Sequence, residues 1–280
     1  MGPAEADDGA LERLLAPFRE DPDRAAILTD VDGTIAPIVQ DPAEATVPEA
    51  TRELLRALAE RYGLVGCISG RRALDARRIV GLDELAYSGN HGFELLLPGE
   101  DEVRPDPSLD GHEEDAPRFV ANLDRSELDR VGIRTEDKGA IVALHWRGAE
   151  NEGASESLAH EIASEAEWQE LVPHRGRKVL EIRPNVAVNK GIAVAALIAT
   201  FSAPTDSGDG SIGAALYGGD DRTDVDAFTA LRTLREDGQL TTTAAIAVAS
   251  EESPPEVSRE ADLTVNGPDG FIRVLEALAG

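Results

Sequence analysis

Apolar residues in this chain gather in two patterns. Short runs at 26–29, 63–68, 85–88, 214–219 and 244–248 are almost continuously apolar, and a shorter segment at 261–265 closes the series. Runs of this kind predict strands of a parallel sheet covered on both faces, where polar alternation is lost. Between them, helical spacing predicts helices over 11–19, 49–61, 73–80, 192–201, 226–235 and 267–278. Leu11, Leu14, Leu15 and Phe18 share one face of the first, and Leu54, Leu55 and Leu58 share one face of the second. Pro48 opens the second helix, a favoured position for proline. Strand–helix–strand units of this length predict an α/β fold with a doubly wound, mainly parallel sheet.

The pattern breaks near residue 100. Residues 100–117 are rich in Asp, Glu and Pro and predict an excursion from the sheet. A strand over 140–146, an acidic helix over 152–169 and a strand over 178–183 follow. The last alternates polar and apolar side chains, which predicts one exposed face. The expected organisation is a Rossmann-like core of residues 1–100 and 184–280 interrupted by an inserted α+β domain, 101–183. Pro184 marks the return, and 203–210 reads as a loop of small residues.

Polar groups then fall at the carboxyl ends of the predicted strands, where open α/β sheets place their ligands. The first strand ends in Asp30-Val31-Asp32-Gly33-Thr34. Gly33 lets the chain turn there, so two acids that alternation would send to opposite faces can converge. Paired carboxylates are hard oxygen donors for Mg²⁺, and one can attack phosphorus. An acid pair that merely caps a loop is the structural alternative. The second strand ends in Ser69-Gly70-Arg71 before a helix, which suits an anion; a helix-capping serine is the alternative. His91 lies between Gly89 and Gly92 in a tight loop and has a structural alternative too. Lys190 precedes the helix at 192, and Asp220, Asp221 and Asp224 follow the strand at 214–219. Neither a G-x-x-x-x-G-K-[ST] nor a G-x-G-x-x-G motif occurs, so no P-loop or dinucleotide site competes.

Composition sharpens this picture. The chain has 280 residues, 41% apolar and only 4% aromatic, so its core leans on Leu, Val, Ile and Ala. Acids outnumber bases 54 to 27, for a formal charge of -27. Such a surface disfavours nucleic acid and anionic membranes. No run approaches the roughly 18 apolar residues of a membrane span. The acidic segment 1–24 has no apolar signal core. A soluble, cytoplasmic protein is expected, with the single Cys67 as a core thiol. Abundant acid with only Lys138, Lys178 and Lys190 suggests a halophilic, salt-accumulating cytoplasm. In such a chain each lysine calls for a specific reason, although Lys138 and Lys178 also read as solvated side chains.

The order D-x-D-G-T, S-G-R, K-G and G-D-D-x-x-D resembles the haloacid dehalogenase-like phosphatase superfamily, and Asp32 matches its phosphatase branches. Accessory motifs narrow the resemblance to trehalose-6-phosphate phosphatases. Gly89-Asn90-His91-Gly92-Phe93-Glu94 is similar to their G-x-H-G-x-E. Glu136-Asp137-Lys138 with His145-Trp146-Arg147 is similar to E-x-K…H-[YF]-R. Arg177-Lys178-Val179-Leu180-Glu181-Ile182-Arg183-Pro184 and Asn189-Lys190-Gly191 are similar to G-K-x-x-E-I-R-P…x-K-G. Trp146, the Gly176-Arg177 pair and Val225 depart from the usual residues.

The resemblance implies that Asp30 is a nucleophile forming an aspartyl-phosphate and Asp32 a general acid and base. Ser69 and Lys190 would hold the phosphoryl oxygens. Mg²⁺ would be held by Asp30, the backbone carbonyl of Asp32 and Asp220, with Asp224 nearby. Arg71 and His91, and in the inserted cap Lys138, His145 and Glu181, would contact a small sugar phosphate. On its own residues Glu181 also reads as a partner for Arg183. A trehalose-6-phosphate synthase of the same pathway is the implied protein partner. Competing readings are a cap-bearing phosphatase for sucrose-6-phosphate or mannosyl-3-phosphoglycerate, and a non-catalytic regulatory domain that keeps the fold.

Overall fold

The computed structural model describes residues 8–39, 44–176, 178–203, 211–250 and 253–280. Arg177 and residues 204–210 of the expected small-residue loop lie outside the described residues. The chain divides into two compact units, Met1–Arg104 with Val188–Gly280, and Pro105–Ala187. In chain order it runs α1 (Asp8–Glu20), β1 (Ala25–Thr29), α2 (Glu49–Ala59), β2 (Leu64–Ile68), α3 (Ala73–Val80), β3 (Ala86–Gly89), β4 (Glu94–Leu96) and β5 (Arg104–Pro105). There follow α4 (Asp115–Ala121), α5 (Arg125–Val131), β6 (Arg134–Asp137), β7 (Val142–His145), α6 (Glu152–Trp168), β8 (Val172–Gly176) and β9 (Val179–Arg183). The chain closes with α7 (Lys190–Phe201), β10 (Ala214–Gly219), α8 (Asp224–Glu236), β11 (Thr242–Ala249), α9 (Pro255–Glu260), β12 (Leu263–Asn266) and α10 (Gly267–Ala279).

The larger unit is an α/β fold around a sheet of order β12-β11-β10-β1-β2-β3-β4-β5. From β12 to β3 every pairing is parallel, and β4 adds antiparallel. Central β1 is buried along its whole length, and its side chains alternate between two apolar layers. Ala25 and Ile27 pack with α1, α2, α3 and α10. Ala26 and Leu28 pack with α7, α8 and α9. This two-sided cover is why the core strands read as unbroken apolar runs. Both β1 and β10 therefore end at the same edge, in Asp30 and Asp220, with Thr29 in register with Gly218.

The smaller unit has an antiparallel sheet of order β6-β7-β9-β8. Leu144, Leu180 and Ile182 pack from one face against Phe119, Leu128 and Ile162 of its helices. Trp146 is buried in the same layer, so an aromatic residue at this position serves packing. The other face carries Glu136, Ala143, Glu181 and His174 in register across the four strands.

Two expectations change. The polar face of β9 is not exposed: Glu181 and Arg183 are both buried. They pair with each other and Glu181 also pairs with Lys138, so the charged side chains cover one another. Lys190 is not ahead of its helix but is the first residue of α7, because the Asn189 side chain accepts the Ile192 N–H at 2.9 Å and caps it. Strands β4, β6 and β8 and helix α9 lie beyond the apolar pattern.

Candidate active site

The turn after β1 sets the site. The Gly33 N–H donates to the Ala36 carbonyl at 2.8 Å, and Ile35 and Ala36 donate back to Val31. This tight turn gives Gly33 a φ of +82°, in the left-handed region. A Cβ there would lie 2.2 Å from Asp220 Oδ2, so glycine is what lets the ends of β1 and β10 close on each other. Thr34 Oγ1 donates to Asp220 Oδ1 at 3.4 Å, a residue whose role the sequence pattern does not single out.

Within this enclosure the Lys190 ammonium donates to Asp30 Oδ1 at 2.8 Å and Asp224 Oδ1 at 2.7 Å. Asp30, Lys190, Asp220 and Asp224 are all buried. Burial pushes the Asp30 carboxyl well above its ordinary range; Lys190 pulls it back, while Asp224 and Asp220 push it further up. Asp220 is pushed up to about 7, by burial first and then by Asp224. Burial works against the charge on Lys190, but Asp224 and Asp30 outweigh it and raise its pKa. One ammonium thus faces three carboxylates, and negative charge is left over. Asp30, Asp220 and Asp224 each offer an oxygen within 4.8 Å of the others. Buried, undercompensated oxygen donors fit a divalent cation.

The other predicted core residues adjoin this group. Arg71 grips Asp32 by both oxygens, each at 2.7 Å. Burial works against the guanidinium, but the hydrogen bond to Asp32 and the charges of Asp32, Asp75 and Asp30 together outweigh it and raise its pKa. Ser69 is buried and its Oγ accepts the Arg71 N–H at 3.2 Å. It does not cap α3; the Ala73 N–H donates instead to Glu94 Oε2 at 2.7 Å. Glu94 Oε1 also accepts from Asn90 Nδ2 at 2.9 Å, which ties the 90–94 segment to the start of α3. The His91 N–H donates to the Ser69 carbonyl, and its ring lies against Gly70, where a Cβ would come within 2.6 Å of it. His91 itself has a φ of +59°.

Lys138, His145 and Glu181 belong to the smaller unit. Lys138 Nζ donates to Glu181 Oε1 at 2.7 Å, and His145 Nε2 and Glu136 Oε2 are 2.7 Å apart. The hydrogen bond to His145 lowers the Glu136 pKa, more than its burial raises it. Lys178 is on the exposed side, paired with Glu152. The Asp221 side chain accepts the Arg222 N–H, and Arg222 pairs with Glu256, so neither side chain enters the buried cluster. Cys67 is a core thiol, its pKa raised by burial.

A doubly wound core that gathers acids from two strand ends, a buried lysine and a strand-end serine is the architecture of the haloacid dehalogenase-like superfamily. A model of the trehalose-phosphatase family matches residues 28–269. The chain belongs to that family. It is similar to a probable trehalose-phosphate phosphatase of Oryza sativa subsp. japonica, 32% identical over 226 residues, covering 75% of this chain and 60% of the relative. An uncharacterized glycosyl hydrolase of Mycobacterium tuberculosis is 35% identical over 215 residues, covering 75% of this chain but 15% of that protein. The chain thus spans less than two thirds of these curated relatives. The C-terminal domain of the Candida albicans trehalose-6-phosphate phosphatase shares the fold, with a TM-score of 0.70, 24% identity, and coverage of 96% of this chain and 97% of that one.

Proposed function

We propose that the protein is a Mg²⁺-dependent phosphatase that hydrolyses trehalose 6-phosphate to trehalose and phosphate. The observation that carries this reading is the buried Asp30, held by Lys190 beside Asp220 and Asp224 at the end of the central strand. Asp30 and Asp220, with the carbonyl of Asp32 and Asp224 close by, would hold the cation, which supplies positive charge opposite the phosphoryl oxygens. The Asp30 carboxylate attacks phosphorus in line and forms an acyl phosphate. The P–O bond to the sugar breaks, and the leaving oxygen takes a proton from Asp32. In the second step Asp32 accepts a proton from water, whose oxygen attacks the same phosphorus. Phosphate leaves and the Asp30 carboxylate is restored. Ser69 and Lys190 orient phosphoryl oxygens through both steps. Since Arg71 occupies both oxygens of Asp32, this pair opens before Asp32 can reach the leaving group.

The smaller unit acts as a cap in this reading, and the charged face of its sheet, with Lys138, His145 and Glu181, meets the sugar hydroxyls. In the larger unit, Arg71 and His91 would be the residues that contact the substrate. A disaccharide presents many hydroxyl groups, and a face bearing both donors and acceptors suits it. A trehalose-6-phosphate synthase would supply the substrate. The test is phosphate release from trehalose 6-phosphate, sucrose 6-phosphate, glucose 6-phosphate and mannosyl-3-phosphoglycerate in molar KCl, with Mg²⁺ or with EDTA. Selective release from trehalose 6-phosphate that EDTA abolishes is the expected result. Equal release across the panel overturns the substrate, and no release from folded protein overturns the chemistry.

A further inference from the structure

Asp224 is wholly buried and accepts four hydrogen bonds. Its Oδ2 takes the N–H groups of Asp220 at 3.0 Å and Asp221 at 2.9 Å. Its Oδ1 takes Lys190 Nζ at 2.7 Å and Tyr217 Oη at 2.6 Å. An ionised carboxylate has about four lone-pair sites, so this acceptor is full. Gly219 makes the arrangement possible: a Cβ there would lie 2.2 Å from the Asp224 Cγ, so the carboxylate is folded against its own strand end. Tyr217 is itself fully buried on β10, and its ring meets Phe228 edge to face at 6.1 Å. Its hydroxyl has a fixed direction, while Lys190 shares its donors with Asp30.

Asp224 nevertheless has an oxygen close enough to those of Asp30 and Asp220 to share a cation with them. Three of its four donors are fixed by the backbone or by the Asp30 pairing, and the phenol is the fourth. We propose that Tyr217 is a positioning residue that occupies Asp224 Oδ1, keeps Asp224 out of direct coordination, and thereby biases the site toward Mg²⁺ over Ca²⁺. This rests on the metal site proposed above. Mg²⁺ needs six close ligands and keeps waters among them, whereas Ca²⁺ accepts six to eight oxygens and gains from an extra carboxylate. Freeing one oxygen of Asp224 therefore favours the larger ion.

The test is calorimetric titration of metal-free protein with MgCl₂ and, separately, CaCl₂, for the unmodified chain and Tyr217→Phe. Phenylalanine keeps the ring and its contact with Phe228 and removes only the hydroxyl. The expected result is a rise of about tenfold in affinity for Ca²⁺ relative to Mg²⁺, with kcat lowered and KM for the sugar phosphate unchanged. Asp224→Asn supplies the control, because its side chain has no second carboxylate oxygen. Adding Tyr217→Phe to Asp224→Asn should leave the ion ratio unmoved. An unchanged ratio in folded Tyr217→Phe, or an equal shift on both backgrounds, overturns the proposal. If the Phe variant does not fold, a ratio in Asp224→Asn that equals the unmodified chain's supports Asp224 standing outside the coordination shell, and a loss of Mg²⁺ binding there overturns it. Failure of the unmodified chain to bind either cation refutes the metal site itself, a separate outcome.

Discussion

Asp30 is buried beside two other acids and one lysine, and its replacement separates chemistry from folding. In the proposed mechanism Asp30→Asn removes the attacking carboxylate, and turnover should fall by on the order of 10³-fold or more. The same change removes a buried charge that Asp220 and Asp224 repel, while Lys190 keeps Asp224 as a partner. The melting temperature should hold or rise; phosphate release at the unmodified rate would remove Asp30 from its assigned role. In the smaller unit, Glu136 offers a pH test. Its pKa is lowered in the folded state by the hydrogen bond to His145. A depressed carboxyl pKa stabilises the fold above its unfolded value, near 4.5, and that contribution is lost as pH falls through the folded value. Glu136→Gln should cost a few tenths of a kcal/mol at pH 7, small because the pair is half exposed. Well below pH 4.5 the two proteins should melt together; a constant difference in paired melts at pH 7 and pH 3.5 would mean that ionisation of Glu136 adds no stability through this hydrogen bond.

At the scale of elements, α6 ends under strain. Glu170 has a φ of +61°, and the Leu171 N–H reaches back to the Ala166 carbonyl, the closure that normally places glycine at this position. The left-handed conformation costs an L residue about 1–2 kcal/mol, partly offset by the extra freedom glycine has when unfolded. Glu170→Gly should therefore stabilise the fold by about 0.5–1 kcal/mol in urea melts, and a loss of stability would show that the Glu170 side chain contributes more than its backbone costs. The same scale explains what is legible in the sequence. Core strands β1, β2, β10 and β11 are buried on both faces, and their apolar runs announce them. The two edges of the smaller sheet do not announce themselves. Strand β6 is Arg-Thr-Glu-Asp, without an apolar residue, and β8 contains Pro173, tolerated because an edge strand has an unpaired side. The acids at strand ends are legible for the opposite reason: polar groups that stop an apolar run stand out. Tyr217 sits inside such a run and reads as core, and the Arg71–Asp32 and Glu94–Ala73 bonds exist only once the loops that bear them meet.

Charge acts at the scale of the whole molecule. With 54 acids and 27 bases, the net charge of -27 opposes compaction at low salt. It also opposes the approach of any phosphate ester, which is an anion too. Salt relieves both, because the Debye length shrinks from about 10 Å at 0.1 M to about 3 Å at 1 M. The melting temperature should climb steeply to roughly that concentration of KCl and then flatten, since screening saturates. A climb that stays linear to several molar would point instead to exclusion of salt from the protein surface. Substrate binding gives the sharper discrimination. If the negative field repels the sugar phosphate, KM should fall as KCl rises, the reverse of the usual behaviour of an anion at a cationic site, while kcat changes little. Trehalose, the neutral product of the proposed reaction, feels no such field, so its inhibition constant should be independent of KCl, whereas that of inorganic phosphate should fall with KM. Parallel salt dependence of trehalose and phosphate would mean that KCl acts on the site's structure and not on the approach of charge to it.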